Sequence, residues 1–170
     1  MIDVYLALGS NLGERVQNIN SAIQKMNFLE NVQVSNFYES PALLPNNSAE
    51  HWNKPYINAV ISGCTALKPS ELLNKIKRIE NDLGRHSDNP RWSPREIDID
   101  ILFYGNEVIN ESKLQIPHKE IEKRAFVILP LLDLAPEFIH PTLNKSMFEL
   151  RNELSLKSIS NTIMVNDARN

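Results

Sequence analysis

Arg91-Trp92-Ser93-Pro94-Arg95-Glu96-Ile97-Asp98-Ile99-Asp100-Ile101-Leu102-Phe103 is the stretch that decides how this chain folds. Its second half alternates. Ile97, Ile99 and Ile101 fall on one side of an extended strand, Asp98 and Asp100 on the other. Such a strand has an apolar underside and presents two carboxylates side by side, roughly 6–7 Å apart at two strand rises. Two arginines and a tryptophan lead into it. Carboxylates hold hard divalent cations, guanidiniums hold phosphate oxygens, and an aromatic covers a flat ring. Alone, two alternating aspartates describe a solvated strand face. With the arginines beside them they read as a metal–nucleotide site.

Outward from this strand the element order can be followed. Ile2 to Leu8 is apolar enough for the middle of a sheet and ends at Gly9-Ser10-Asn11. A helix is predicted from about Gly13 to Asn27, with Val16, Ile19, Ile23 and Met26 at helical spacing and Asn11 as a cap. Val32 to Tyr38 reads as a second strand. Residues 39–55 carry three prolines and form a long connection of the kind that often serves as a lid or binding loop. Tyr56 to Thr65 is the third strand. Pro69 to Leu83 is a helix with a stripe at Leu72, Leu73, Ile76, Ile79 and Leu83, stopped by Gly84. A charged loop from Arg85 to Glu96 then meets the strand Ile97 to Tyr104. This order is βαββαβ, the ferredoxin-like α+β pattern, a two-layer sandwich. Additional C-terminal elements follow: short edge strands within 107–116, an apolar segment 124–134 that Pro130 leaves undecided between strand and helix, a short helix at 146–154, and a strand at 162–165.

Bulk properties narrow the class. The chain has 170 residues, 42% hydrophobic and 23% charged, which suits one soluble domain over 1–170. A net charge of −3 argues against a general nucleic-acid surface. Between Lys75 and Arg95, however, six basic residues face three acidic ones. A small basic zone in an acidic protein suits an anionic small molecule. The lone Cys64 excludes an internal disulfide framework and a cysteine-based zinc site. No apolar run is long enough to span a membrane and no signal-type leader is evident, so a cytoplasmic protein is expected.

Other segments are ambiguous taken singly. Gly9-Ser10-Asn11-Leu12-Gly13 fits a phosphate loop and a capped strand-to-helix turn about equally, and lacks both standard phosphate-cradling patterns. Tyr56 and Asn58 share a strand face, and an asparagine amide offers a donor and an acceptor to a lactam edge. A hydrogen-bonded strand asparagine explains Asn58 equally simply. His118 follows Pro117 in a polar region and has no metal-ligand spacing with the other histidines. Phe126 is core by default; Trp92, in a charged loop, is less easily so.

Together these segments resemble the 6-hydroxymethyl-7,8-dihydropterin pyrophosphokinase family of folate biosynthesis. The resemblance runs from near residue 4 to about residue 141. It rests on Leu8 to Gly13, Tyr56-Ile57-Asn58-Ala59-Val60, Ile79-Glu80 leading to Gly84-Arg85, Arg91 to Leu102, and Ile116-Pro117-His118 leading to Arg124-Ala125-Phe126. It implies an ATP-dependent enzyme that passes pyrophosphate to the hydroxymethyl group of a reduced pterin and releases AMP. Asp98 and Asp100 match carboxylates that hold two Mg2+ ions on the triphosphate, and with Arg85 and Arg95 they form the implied catalytic set. Tyr56, Asn58, Phe126, Leu43 and Trp92 match pterin contacts. Glu80, Arg95, Ile101, His118, Arg124 and Trp92 match ATP contacts. The chain departs from the family pattern at Ser87, Lys77, Lys113, Gln115 and Lys119, and Leu44 to Asn53 reads as an insertion. The implied partners are the two small substrates, with no nucleic acid or membrane; the chain is expected to be monomeric, alone or docked to another folate enzyme.

Two other classes compete. A nucleotidyltransferase also carries Gly-Ser and paired aspartates, but about a dozen residues apart, whereas Ser10 and Asp98 lie 88 positions apart. An RNA-binding module of the same topology needs exposed aromatics and a basic surface on its middle strands. Here Asp98 and Asp100 occupy one of those strands.

Overall fold

The computed structural model describes residues 1–84, 90 and 92–165. Chain order runs β1 (Ile2–Ser10), α1 (Arg15–Lys25), β2 (Glu30–Val34), β3 (Phe37–Ser40), β4 (Tyr56–Thr65), α2 (Pro69–Asp82) and β5 (Asp98–Tyr104). There follow β6 (Ile109–Glu111), β7 (Leu114–Ile116), α3 (Ala125–Leu134), α4 (Met147–Glu153), α5 (Leu156–Ser160) and β8 (Ile163–Val165). The main sheet is ordered β5-β1-β4-β3-β8, with β2 also paired to β4 and every pairing antiparallel. Taking β2 and β3 as one interrupted strand, this is the ferredoxin-like order. No helix among the described residues is long and apolar enough to cross a membrane.

The expected strand 32–38 is broken for a local reason. Ser35 sits at the break, where its Oγ accepts the Val60 amide at 2.9 Å while its own amide donates to the Val60 carbonyl at 2.9 Å. A side chain thus stands in for a backbone carbonyl. Asp133 of α3 fastens the same point, accepting from the Asn36 amide at 2.9 Å and from the Tyr38 hydroxyl at 3.1 Å. The helix predicted from Gly13 starts instead at Arg15, and Asn11 is not its cap: the cap position is Glu14, with no side-chain capping bond. The segment 124–134 resolves as a helix despite Pro130, because it is packed on nearly every side.

The sheet has two different faces. One is covered by α1 and α2 through Ile19, Ala22, Leu72, Ile76 and Ile79, which meet Val4, Leu6, Leu8, Ile99 and Ile101. The other is only partly covered. The C-terminal elements α3 and α4 place Val127, Ile128, Leu131, Met147 and Leu150 against Val60, Leu102 and Phe103 at one end. They add a partial third layer to the expected sandwich. Beyond it the sheet lies open at Ala7, Gly9, Asn58, Asp98 and Asp100.

A β-bulge makes this division possible. Tyr5 pairs with Phe103 but Leu6 pairs with Ile101, so Leu102 is an extra residue on β5. Before the bulge β5 alternates between helix-facing isoleucines and cleft-facing aspartates. At the bulge Leu102 and Phe103 both join the second core, and Tyr104 returns to the first.

Candidate active site

The open end of the sheet forms a cleft of about 520 Å3. It is walled by Leu43, Tyr56, Asn58, Trp92, Arg95, Asp98, Asp100, His118, Arg124 and Phe126. These positions come from β4, β5, the turn after β7, the start of α3 and two loops. Of the expected site residues, Glu80 and Ile101 do not line it, and Arg85 lies outside the described residues, as do Arg91 and Ser87. A second groove of about 510 Å3 adjoins the cleft and contains Ile101, Leu73, Lys77, Lys113, Leu114 and Gln115. Asp100, His118 and Lys119 belong to both.

The loops reach the cleft because Asn11 ties them there. Its amide donates to the Arg95 carbonyl at 3.2 Å, its Oδ1 accepts the Arg95 amide at 2.9 Å, and its Nδ2 donates to the Lys54 carbonyl at 3.2 Å. Arg15 adds a bond to the Pro55 carbonyl at 2.9 Å. Asn11, just past the end of β1, is therefore not a helix cap but an anchor for the loop 41–55 and for the segment 92–97. At the other loop base Gly84 adopts φ +105°, and an added Cβ would come within 3.2 Å of the Glu96 side chain.

On the β4 side the polar groups are fixed. Asn58 is buried, and its Nδ2 donates to Ser40 Oγ at 2.9 Å and to the Tyr38 carbonyl at 3.3 Å. This network assigns the amide's orientation. Both amide hydrogens are used internally, so Asn58 offers a ligand only its Oδ1, an acceptor, rather than the donor–acceptor pair expected from sequence. Gly9 pairs with Asn58 across the sheet. A Cβ there would lie 3.4 Å from Asn58 Oδ1 and 3.4 Å from the Tyr56 ring. Its absence keeps the floor open beside both. Arg124 Cζ lies 5.7 Å from the centroid of the Phe126 ring, a cation–π distance.

On the β5 side charges collect. Arg95 Nη1 lies 3.4 Å from Asp98 Oδ1, and His118 Nε2 lies 3.8 Å from Asp100 Oδ2. Asp100 keeps 40% of its side-chain exposure, but that opening gives onto a walled cleft. Withdrawal from bulk water, then the like charge of Asp98, raise its carboxyl above the ordinary aspartate value, against the pull of His118, Lys77 and Arg124. Burial likewise pushes the His118 imidazole below its ordinary value, opposed by Asp100. Both partners are thus biased toward their neutral forms. His118 Nδ1 accepts the Glu120 amide at 3.3 Å, which leaves Nε2 to carry the proton toward the cleft.

Asp98 and Asp100 fit a magnesium site. Among the described residues no group of three or more His, Cys, Asp or Glu side chains could hold a metal. Magnesium binds through one or two carboxylates and completes its shell with water and substrate phosphates. Two neighbouring carboxylates in the cleft, Asp100 of them at its junction with the second groove, are a donor set of the kind such an ion takes.

Ser40 carries no signal in the sequence, and the sequence suggests a different role for Gly9 and Asn11. All three act through backbone proximity or side-chain bonds across distant segments, and short residues at strand ends carry no pattern announcing this. Glu80 was expected on the nucleotide side. It is 1% exposed, and its Oε1 accepts the Ile99 amide at 2.8 Å.

Comparison with known proteins bears on this architecture. The family model described as 7,8-dihydro-6-hydroxymethylpterin-pyrophosphokinase matches residues 5–136. The 2-amino-4-hydroxy-6-hydroxymethyldihydropteridine pyrophosphokinase of Aquifex aeolicus is 44% identical over 158 residues, 92% of this chain and 95% of that protein. The Haemophilus influenzae protein of the same name is 41% identical over 144 residues, 83% of this chain and 86% of that one. Among solved structures, wild-type Plasmodium falciparum HPPK-DHPS with pteroate superposes with a TM-score of 0.68 over 89% of this chain at 18% identity. The match spans 44% of that longer chain and speaks for the fold alone.

Proposed function

Because this chain belongs to the 7,8-dihydro-6-hydroxymethylpterin-pyrophosphokinase family, we propose that its two adjoining concavities divide the two substrates of that reaction. The chain is an ATP-dependent pyrophosphotransferase of folate biosynthesis. The hydroxymethyl oxygen of 6-hydroxymethyl-7,8-dihydropterin attacks the β-phosphorus of ATP. The bond from that phosphorus to the α-phosphate oxygen breaks, and AMP leaves as the pterin diphosphate forms.

The observation that carries the division is the shared lip of Asp100, His118 and Lys119. A triphosphate crossing it places the adenosine in the groove with Ile101 and Lys77, and the β- and γ-phosphates against Asp98, Asp100 and Arg95. The pterin then occupies the cleft. Tyr56 and Phe126 offer ring faces, Leu43 and Trp92 close the walls, and Asn58 Oδ1 accepts from the ring's N–H edge. Asp98 and Asp100 hold magnesium, two ions in this reading, which supply charge neutralisation on the triphosphate. Arg95 stabilises charge that accumulates during transfer, and Arg85, outside the described residues, is the second arginine of that set by resemblance. The His118 Nε2–H donates to a phosphate oxygen, and Arg124 adds positive charge near Phe126. Loop closure over Trp92 excludes water.

Incubating the purified chain with ATP, magnesium and the reduced pterin alcohol tests the reading. AMP and the pterin diphosphate are expected in equal amounts. Release of inorganic pyrophosphate without pterin diphosphate would assign nucleotidyl transfer instead. The same reading takes residues 1–170 as one catalytic unit, a cytoplasmic monomer that works alone or beside another folate enzyme, and sedimentation of the purified chain checks the monomer.

A further inference from the structure

Among the described residues β5 is the outer strand of the sheet, so one row of its backbone groups has no strand partner there. Two of these groups are closed from outside, and they bracket Asp100. The His118 amide donates to the Leu102 carbonyl at 3.1 Å, and Glu80 Oε1 accepts the Ile99 amide at 2.8 Å. Ile99 lies between the two aspartates. Glu80 comes from α2, beneath the apolar face of the strand, and is withdrawn from water almost completely. Its other oxygen, Oε2, lies 2.7 Å from Lys77 Nζ. A buried carboxylate costs several kcal/mol of desolvation unless paired, as it is here, and an apolar side chain would fill the same space without that cost.

We propose that Glu80 is a positioning residue for the reaction: by gripping the Ile99 amide it fixes the twist of the free strand edge, and with it the directions in which Asp98 and Asp100 leave the strand. The inference rests on the reading of those two aspartates as the metal pair. An unpinned edge strand twists readily about its own axis. Rotation of the peptide groups on either side of Ile99 swings the flanking side chains, and a displacement of about 1 Å at a reacting centre costs on the order of 100-fold in rate. Lys77 balances the buried charge while itself facing the nucleotide groove.

Two conservative variants separate reach from charge. E80D keeps the charge but is one methylene too short for the Ile99 amide; E80Q keeps the reach and an acceptor oxygen but loses the charge. The first readout is hydrogen exchange at the Ile99 amide in the metal-free protein, taken as a ratio to the Val60 amide on β4 so that global stability cancels. The second is manganese binding by electron paramagnetic resonance in the presence of ATP. The third is the magnesium concentration for half-maximal rate. E80D is expected to exchange about tenfold faster at Ile99 and to need about tenfold more metal, as outer-shell partners of metal ligands do, with the KM for the pterin unchanged. E80Q is expected to behave as wild type in all three. Impairment of E80Q with E80D unaffected would make Glu80 an electrostatic contact of the nucleotide and overturn the proposal. So would equal loss in both variants, or wild-type behaviour in both. Should E80D fail to fold, E80Q decides alone: wild-type metal dependence supports the proposal and a raised requirement refutes it. Wild-type protein that makes no AMP would defeat the activity reading instead, while exchange at Ile99 is read without any substrate.

Discussion

The two walls of the cleft are built on opposite principles. On the β4 wall the protein satisfies itself: Asn58 spends both amide hydrogens on Ser40 and Tyr38 and keeps one acceptor for a ligand. On the β5 wall it crowds charge: withdrawal from water, then the like charge of Asp98, raises the proton affinity of Asp100 against the pull of His118, Lys77 and Arg124. A satisfied wall recognises shape and one hydrogen-bonding edge. A frustrated wall recruits opposite charge, and its ligands relieve a repulsion already present in the fold. In the proposed reading the first wall selects the heterocycle and the second does the chemistry.

The contrast is broken most severely at the acidic wall. Asp98→Ala and Asp100→Ala are each expected to lower kcat by at least about 1,000-fold with the fold intact by circular dichroism, because no third carboxylate is present among the described residues to replace either. Near-normal magnesium-dependent turnover in either would remove the metal assignment. Arg95→Ala should come next, lowering kcat by about 100-fold or more while the ATP dissociation constant, read by calorimetry, changes little. Equal losses in both would make Arg95 a ground-state anchor.

On the satisfied wall effects are smaller and fall on affinity. Ser40→Ala removes one of two acceptors for Asn58 Nδ2. It is expected to raise the pterin KM by about fivefold, the worth of one ordinary hydrogen bond, with kcat and metal dependence unchanged. The smallest effect sharpens the comparison through stability. Asp100 binds its proton more tightly folded than unfolded, so its contribution to stability is complete below the ordinary aspartate range and falls as pH rises through the folded-state value. In metal-free protein Asp100→Asn should therefore melt higher than wild type near neutral pH, by no more than about 2–4 °C given solvent screening at a half-exposed side chain. The gain should shrink toward about pH 3, as thermal melts across pH would record.

Much of this was legible in the chain. Ile97, Ile99 and Ile101 against Asp98 and Asp100 give strand and face at once, and with them the placing of both carboxylates in the cleft, because side-chain alternation is a property of the backbone itself. The stripe Leu72, Ile76, Ile79 fixes α2 for the same kind of reason. What stayed hidden depends on partners far along the chain. Ser35 interrupts a strand because Val60 bonds to its hydroxyl. Asn11 has a cap's composition, but its amide is engaged with Arg95 and Lys54. Glu80 sits among the apolar stripe of α2, and its sequence neighbours do not reveal that it faces a strand edge nineteen residues on. Pro130 argues against a helix locally, yet burial between the sheet and α4 outweighs one missing bond.

The supernumerary Leu102 has a safeguarding effect. In a strand of strict two-residue period, sliding by a single step would carry every side chain to the opposite surface. For β5 that error would drive two anions into hydrocarbon and turn two isoleucines out of the core. With one residue out of phase, the Leu102-Phe103 pair seats only when the whole segment is aligned. The irregularity thus works as a stop against misthreading, and the faultless acidic ladder upstream owes its alignment to the flaw downstream.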